Sequence, residues 1–133
     1  MKVKQFNYTK GKLGEEIAAG YLKKKGYCII KSNYRTRFGE LDIIASIDKI
    51  LVFVEVKLKT LLPAGRAGID FGTPEEMINP RKLRQIQNTA EMFLLQENIL
   101  RAKFKQYRID AICIVLNQDT SIEQIKHYEN ITG

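Results

Sequence analysis

The sequence has no tryptophan, one histidine (His127), two cysteines and three prolines in 133 residues. The histidine and cysteine counts each remove a class of protein. With a single histidine and no Cys-x-x-Cys spacing, a zinc site built from Cys and His lacks ligands. Cys28 and Cys113 are too few for a disulfide framework. Both lie in apolar runs, YCII and AICIV, and are expected to be buried, unreactive thiols in a reducing compartment. No apolar stretch approaches the roughly 20 residues that a membrane-spanning helix needs. The N-terminus, MKVKQFNYTKGK, is basic but carries no apolar segment of the secretion-signal kind. A cytoplasmic protein without a membrane partner is the expectation. Internal repeats, low-complexity tracts and linkers are also missing, so residues 1–133 read as one domain, with residues 1–10 a mobile basic arm.

What is abundant is positive charge. Lys and Arg number 22 against 15 Asp and Glu, a formal net charge of +7. Such an excess favours polyanionic partners, because binding a nucleic acid releases the counterions condensed on its phosphates. A membrane surface is a weaker match, since no segment joins a long basic face to a strong apolar one.

The apolar spacing sets the expected elements. Leu13, Ile17, Ala18, Tyr21 and Leu22 fall on one face of a helix from Lys12 to Lys25, and Gly26 is placed to stop it. Tyr27–Arg35, Glu40–Ile47 and Ile50–Lys59 alternate or run apolar as strands, the last two joined by a short turn at Asp48–Lys49. Residues 60–78 contain three glycines and two prolines and read as a long loop. Asn79 followed by Pro80 has the form of an N-cap with proline at the first helical position. The helix it opens runs to about Asn98, with Leu83, Ile86, Ala90, Phe93 and Leu94 on one face. Tyr107–Leu116 and Ile122–Tyr128 complete the strands. The fold class expected is α/β, a mixed central sheet of about five strands flanked by helices.

Within the second and third strands, GELDIIASIDKILVFVEVKLK places Glu40, Asp42, Glu55 and Lys57 among aliphatic residues, where an unpaired carboxylate is costly. Side chains two apart on a strand share a face. Pairing through the Asp48–Lys49 turn brings Asp42 opposite Glu55, and Lys57 opposite Glu40. Two close carboxylates repel and desolvate one another, and a hard divalent cation such as Mg²⁺ or Mn²⁺ reverses that cost. A neighbouring lysine can orient a water or neutralise charge growing on a phosphate. That chemistry suits phosphodiester hydrolysis. The competing reading is a salt-bridge ladder on an exposed sheet face, and the residues alone leave both open.

The segment GELDIIA…LVFVEVK resembles the D-(E/D)xK signature of restriction-endonuclease-like nucleases. Over nearly its whole length, through GKLGEEIAAGYLKKKGY, NYRTRFGELDIIA, LVFVEVK, FGTPEEMINPRKLRQI, YRIDAICI and HYEN, the chain resembles the small bacterial YraN-like family, whose fold is similar to that of archaeal Holliday-junction resolvases. The resemblance implies a restriction-endonuclease-like fold. It also implies a catalytic set of Asp42, Glu55, Lys57 and Glu15, with Asp42 and Glu55 binding Mg²⁺ or Mn²⁺. Glu15 is also ordinary acid placement near a helix start, and Glu40 stands as an accessory residue. The family pattern has Arg two places after the lysine where this chain has Lys59, which keeps charge but loses bidentate phosphate geometry. The stretch from Thr60 to Asp70 is longer than the family's.

Candidate phosphate contacts are Lys82, matching a family position, with Arg81 and Arg84 beside it at a helix start, and Lys59, Arg35, Arg37 and Arg66 elsewhere. His127 reads as structural, and Tyr34 and Tyr107 as core or edge residues. The function expected is a metal-dependent nuclease acting on DNA, plausibly branched or otherwise structured. The alternatives are a nucleic-acid-binding module without turnover and a structural protein. A homodimer is expected by analogy with junction-type nucleases.

Overall fold

The computed structural model describes residues 10–61 and 78–132. The basic arm, most of the long loop and Arg66 lie outside the described residues. Helix α1 (Lys10–Lys24) is followed by strands β1 (Cys28–Thr36), β2 (Gly39–Ile47) and β3 (Ile50–Thr60), then helices α2 (Pro80–Gln96) and α3 (Asn98–Lys103), and strands β4 (Gln106–Leu116) and β5 (Ile122–Tyr128).

Local chemistry accounts for the boundaries. Gly26 ends α1 at φ +94°, with its N–H donating to Lys23 O at 3.0 Å and the Tyr27 N–H to Leu22 O at 2.9 Å. That pair of bonds is the glycine-dependent stop expected of a left-handed residue after a helix. Asn79 caps α2: its Oδ1 accepts the Lys82 N–H at 2.8 Å, and Pro80 opens the helix. The helix expected to run to Asn98 instead breaks at Glu97, whose φ of −112° and ψ of 72° are not helical. A short third helix follows, carrying no apolar periodicity that the sequence would reveal.

The five strands form one sheet in the order β1-β2-β3-β4-β5. The β3–β4 pair is parallel and the others antiparallel. The result is the expected single α/β domain with a mixed sheet. Burial on both faces explains why β3 and β4 read as unbroken apolar runs rather than alternating ones. On one face Ala18 and Leu22 of α1 pack on Ile43, Ala45, Val52, Val54, Ile112 and Ile114. On the other, Ile86, Ala90 and Phe93 of α2 pack on Ile44, Leu51, Phe53, Ile109 and Ala111. Tyr34 and Tyr107 meet Phe93 and Phe53 edge-on, as residues of the core margin. Among the described residues no helix is long and apolar enough to cross a membrane.

The two cysteines part company. Cys113 is buried in central β4 and its thiol is pushed up to about 11 by burial. Cys28 is exposed, contrary to expectation, because it opens the edge strand rather than a central one.

His127 has the acid partner that sequence alone does not supply. Its Nε2 lies 2.8 Å from Oδ2 of Asp110, a fully buried carboxylate on β4. Asp110 Oδ1 also accepts from Arg108 Nε and from the Asn130 N–H, each at 2.9 Å, and Arg108 donates onward to the Tyr27 hydroxyl at 2.8 Å. Burial would raise the Asp110 pKa. The hydrogen bonds from His127, Arg108 and Asn130 outweigh it and hold the carboxyl below its ordinary range. This network ties the end of α1 and the C-terminal residues to the sheet.

Asp110→Ala leaves Arg108 and His127 facing a lost acceptor and is expected to cost about 3 kcal/mol in urea unfolding at pH 7. A carboxyl with a lowered folded-state pKa contributes stability above its ordinary range and loses it as pH falls. The gap between wild type and variant should therefore narrow below about pH 4.

Candidate functional site

Strands β2 and β3 pair from Ile47–Ile50 as far as Ile43–Val54, in the register the short turn predicts, and then stop pairing. Beyond that point β2 stays on β1 as far as Gly39–Thr36, while β3 stays on β4 as far as Thr60–Leu116. The sheet forks, and Asp42 and Glu55 are the next residues on its two prongs. The fork strips β3 of a backbone acceptor, and Asp42 supplies one: its Oδ2 accepts the Val56 N–H at 2.8 Å.

The fork also corrects an expectation. Lys57 is not opposite Glu40, because the ladder ends before reaching them. Glu40 instead faces β1, with its Oε2 3.4 Å from Arg35 Nε. Lys57 Nζ lies 3.8 Å from Glu55 Oε2, and Lys82 Nζ, from the first turn of α2, lies at the same distance from the same oxygen. At that separation both are ion pairs rather than hydrogen bonds.

Glu55 is only 6% exposed. Burial first, then the Asp42 carboxylate, pushes its pKa up to about 7, against the opposing pull of Lys82 and Lys57. Asp42 is raised too, chiefly by burial, with the Val56 N–H and a hydrogen bond from Glu55 working the other way. The hydrogen bond between the two carboxyls raises Glu55 and lowers Asp42. Near neutral pH the pair sits between one negative charge and two, as two coupled acids do.

Glu15 reaches this region from α1. It borders a cleft of about 590 Å³ with Lys12, Arg35, Glu40 and Asp42. Burial, Asp42 and Glu40 all raise its pKa, and Arg35 lowers it. Among the described residues, no group of three or more His, Cys, Asp and Glu is gathered closely enough to hold one ion. Glu15 thus shares the cleft with Asp42 without joining the Asp42–Glu55 pair. The oxygen pair fits a small divalent ion of the Mg²⁺ type, which commonly takes one or two carboxylates and completes its shell with water and phosphate.

The expected phosphate contacts fall in four places. Lys82 is half-buried against Glu55, so part of its charge serves the acid. Arg81 and Arg84 line a neighbouring groove beside Phe38, and Arg35 lies on the wall between that region and the cleft. Lys59 is exposed further along β3, opposite Val115. What the sequence reading missed is the contact from Lys82 to Glu55. A lysine three residues after an N-cap carries no mark of a partner on a distant strand.

Comparison with known proteins identifies the family. Residues 14–114 match the family described as "Uncharacterised protein family UPF0102". The chain is 46% identical over 112 residues to a UPF0102 protein of Persephonella marina, an alignment covering 84% of this chain and 88% of the relative. It is 40% identical over 120 residues to a UPF0102 protein of Clostridium botulinum, covering 90% of each. A UPF0102 protein of Caldanaerobacter subterraneus is 38% identical over 125 residues, 92% of this chain and 93% of that one. The chain belongs to the UPF0102 family, the family its motifs resemble.

A carboxyl whose folded-state pKa is raised favours the fold below its ordinary range and loses that advantage as pH climbs through the raised value. For Glu55 the window runs from about 4.5 to about 7. In EDTA, the urea stability of Glu55→Gln relative to wild type should therefore move in the variant's favour by roughly 2–3 kcal/mol between pH 4.5 and 8. A difference that stays constant with pH would contradict the burial and pairing of Glu55.

Proposed function

We propose that this protein is a metal-dependent nuclease that hydrolyses phosphodiester bonds in DNA, with structured or branched DNA as its substrate and two copies acting together. The observation that carries the reading is the Asp42–Glu55 pair at the fork. A buried carboxyl beside a half-buried one, both with raised pKa values, is costly as it stands, and a divalent cation removes the cost. Asp42 and Glu55 would hold Mg²⁺ or Mn²⁺, which when bound would neutralise phosphate charge and acidify water.

The remaining roles belong to the chain itself. The Val56 N–H fixes the orientation of the Asp42 carboxylate. Lys57 shares the face of Glu55 and places an ammonium beside the pair, where it offsets charge that grows on a phosphate during attack. Lys82 keeps Glu55 from being protonated too strongly for use near neutral pH. Arg35, Arg81 and Arg84 supply an exposed basic surface for the strand's phosphates. The net charge and the family resemblance to D-(E/D)xK nucleases support the same reading.

One observation favours a second reading, a DNA-binding module without turnover: Glu55 already has two ammonium partners. The two readings separate in a cleavage assay with purified protein, Mg²⁺ or Mn²⁺, and a panel of single-stranded, duplex, flap and junction DNAs. The nuclease reading expects metal-dependent cleavage that falls by about 100-fold or more in Asp42→Ala, Glu55→Ala and Lys57→Ala. Salt-sensitive binding with no cleavage by wild type, or cleavage that survives in both carboxylate variants, defeats it.

A further inference from the structure

We propose that Phe38, at the tip of the β1–β2 hairpin, is a stacking platform for an unpaired nucleobase of a DNA strand lying across the basic surface. This rests on the DNA-acting reading above and adds to it the form of DNA and the residue that selects it.

Arg37 and Phe38 form the two-residue connection between Thr36 and Gly39. Phe38 is 50% exposed. A lone exposed aromatic is ordinary, but this one is mounted rigidly. Its N–H donates to Thr36 Oγ1 at 3.1 Å, and its carbonyl accepts from Gln85 Nε2 of α2 at 3.0 Å. Gly39 beside it sits so close to α2 that a Cβ there would come within 2.8 Å of both Gln85 Cγ and Thr89 Oγ1. The hairpin tip is therefore seated on α2 by a contact only glycine permits, and the ring costs little further ordering when a ligand arrives.

The surroundings of the ring suit a nucleotide. Two grooves of about 430 Å³ meet at Phe38, one bordered by Arg81 and Arg84, the other by Arg35, Arg37 and Lys82. The Arg37 guanidinium carbon lies 5.1 Å from the ring centroid. Among the described residues, the other large apolar side chains that are exposed, Leu95, Ile99, Tyr107 and Ile122, line neither groove. An isolated aromatic ringed by cations is poorly suited to a protein surface, which needs a contiguous apolar core. It fits a polyanion with flat, apolar bases, since every base has a π-face and stacking needs no sequence match. The groove that Phe38 borders adjoins the cleft at Asp42, because Arg35 and Glu40 line both. A strand running along it would pass from the ring to the carboxylate pair. Paired bases are hidden inside a duplex, so the platform selects unpaired nucleotides next to the cut.

The test uses full-length protein in EDTA, so that nothing is cleaved, and fluorescence anisotropy with two labelled DNA strands. One is oligo-dT. The other has the same length and phosphate count but abasic sites in place of bases. Phe38→Ala should bind oligo-dT about 5–100-fold more weakly and leave the abasic strand within about twofold of wild type, while Phe38→Trp should keep tight binding to oligo-dT. Circular dichroism confirms that the variants fold. Loss that is equal on both strands, no loss on either, or a tryptophan variant as weak as the alanine one overturns the role of Phe38. If wild type binds both strands and Phe38→Ala is silent, only this inference falls. If wild type binds neither strand at low salt, the DNA reading falls with it.

Discussion

The rest of the site depends on the parting of β2 from β3 after Ile43 and Val54. A continuous ladder would satisfy the Val56 N–H with a strand carbonyl and bury the side chains of Asp42 and Glu55 against their neighbours. The fork instead makes a side-chain carboxylate finish the ladder, and it sets a second carboxyl beside the first at the end of a dry aliphatic core. Neither acid is comfortable. Both pKa values rise, and a proton held between the two carboxyls eases the repulsion. Strain of this electrostatic kind concentrates where a protein does chemistry.

The charges around the fork form a graded arrangement. Two ammonium groups flank Glu55, from β3 and from α2, so the site draws on both prongs and one helical layer. Glu15 and Glu40 extend the negative charge into the cleft under α1, with Arg35 opposing them. Beyond Arg35 the surface turns basic, around a hairpin tip seated on α2. Acid at the fork and base around it is the polarity that the proposed phosphodiester hydrolysis would need. The Asp110–His127–Arg108 network is a different use of buried charge. Each of its polar groups is satisfied, so it fastens β4, β5 and the chain end together and leaves the fork as the unsettled acid pair.

Much of this was legible in the sequence, for identifiable reasons. The two-residue turn at Asp48–Lys49 fixes the register, and register fixes which residues come to Asp42 and Glu55. The long apolar runs in β3 and β4 announced strands buried on both faces, and Asn79–Pro80 announced the start of α2. What escaped were features set by tertiary geometry. The point where a ladder ends is decided by the twist and packing of whole strands, so Glu40 was paired with Lys57 when it meets Arg35. The edge position of Cys28, the reach of Lys82 to Glu55 and the union of Asp110 with His127 all join residues far apart in sequence or depend on which strand is outermost. No local pattern encodes them.

The claim on which the functional account stands is that Asp42 and Glu55 together form a cation site whose ligands must first give up a proton. Calorimetric titration of Mn²⁺ into the protein, at pH 6 and pH 8 and in buffers of different ionisation enthalpy, measures this directly. The account expects one site that binds more tightly at pH 8, releases protons at pH 6, and disappears in Asp42→Ala and Glu55→Ala. Wild-type protein that takes up no Mn²⁺, or binding that ignores both substitutions, would contradict it.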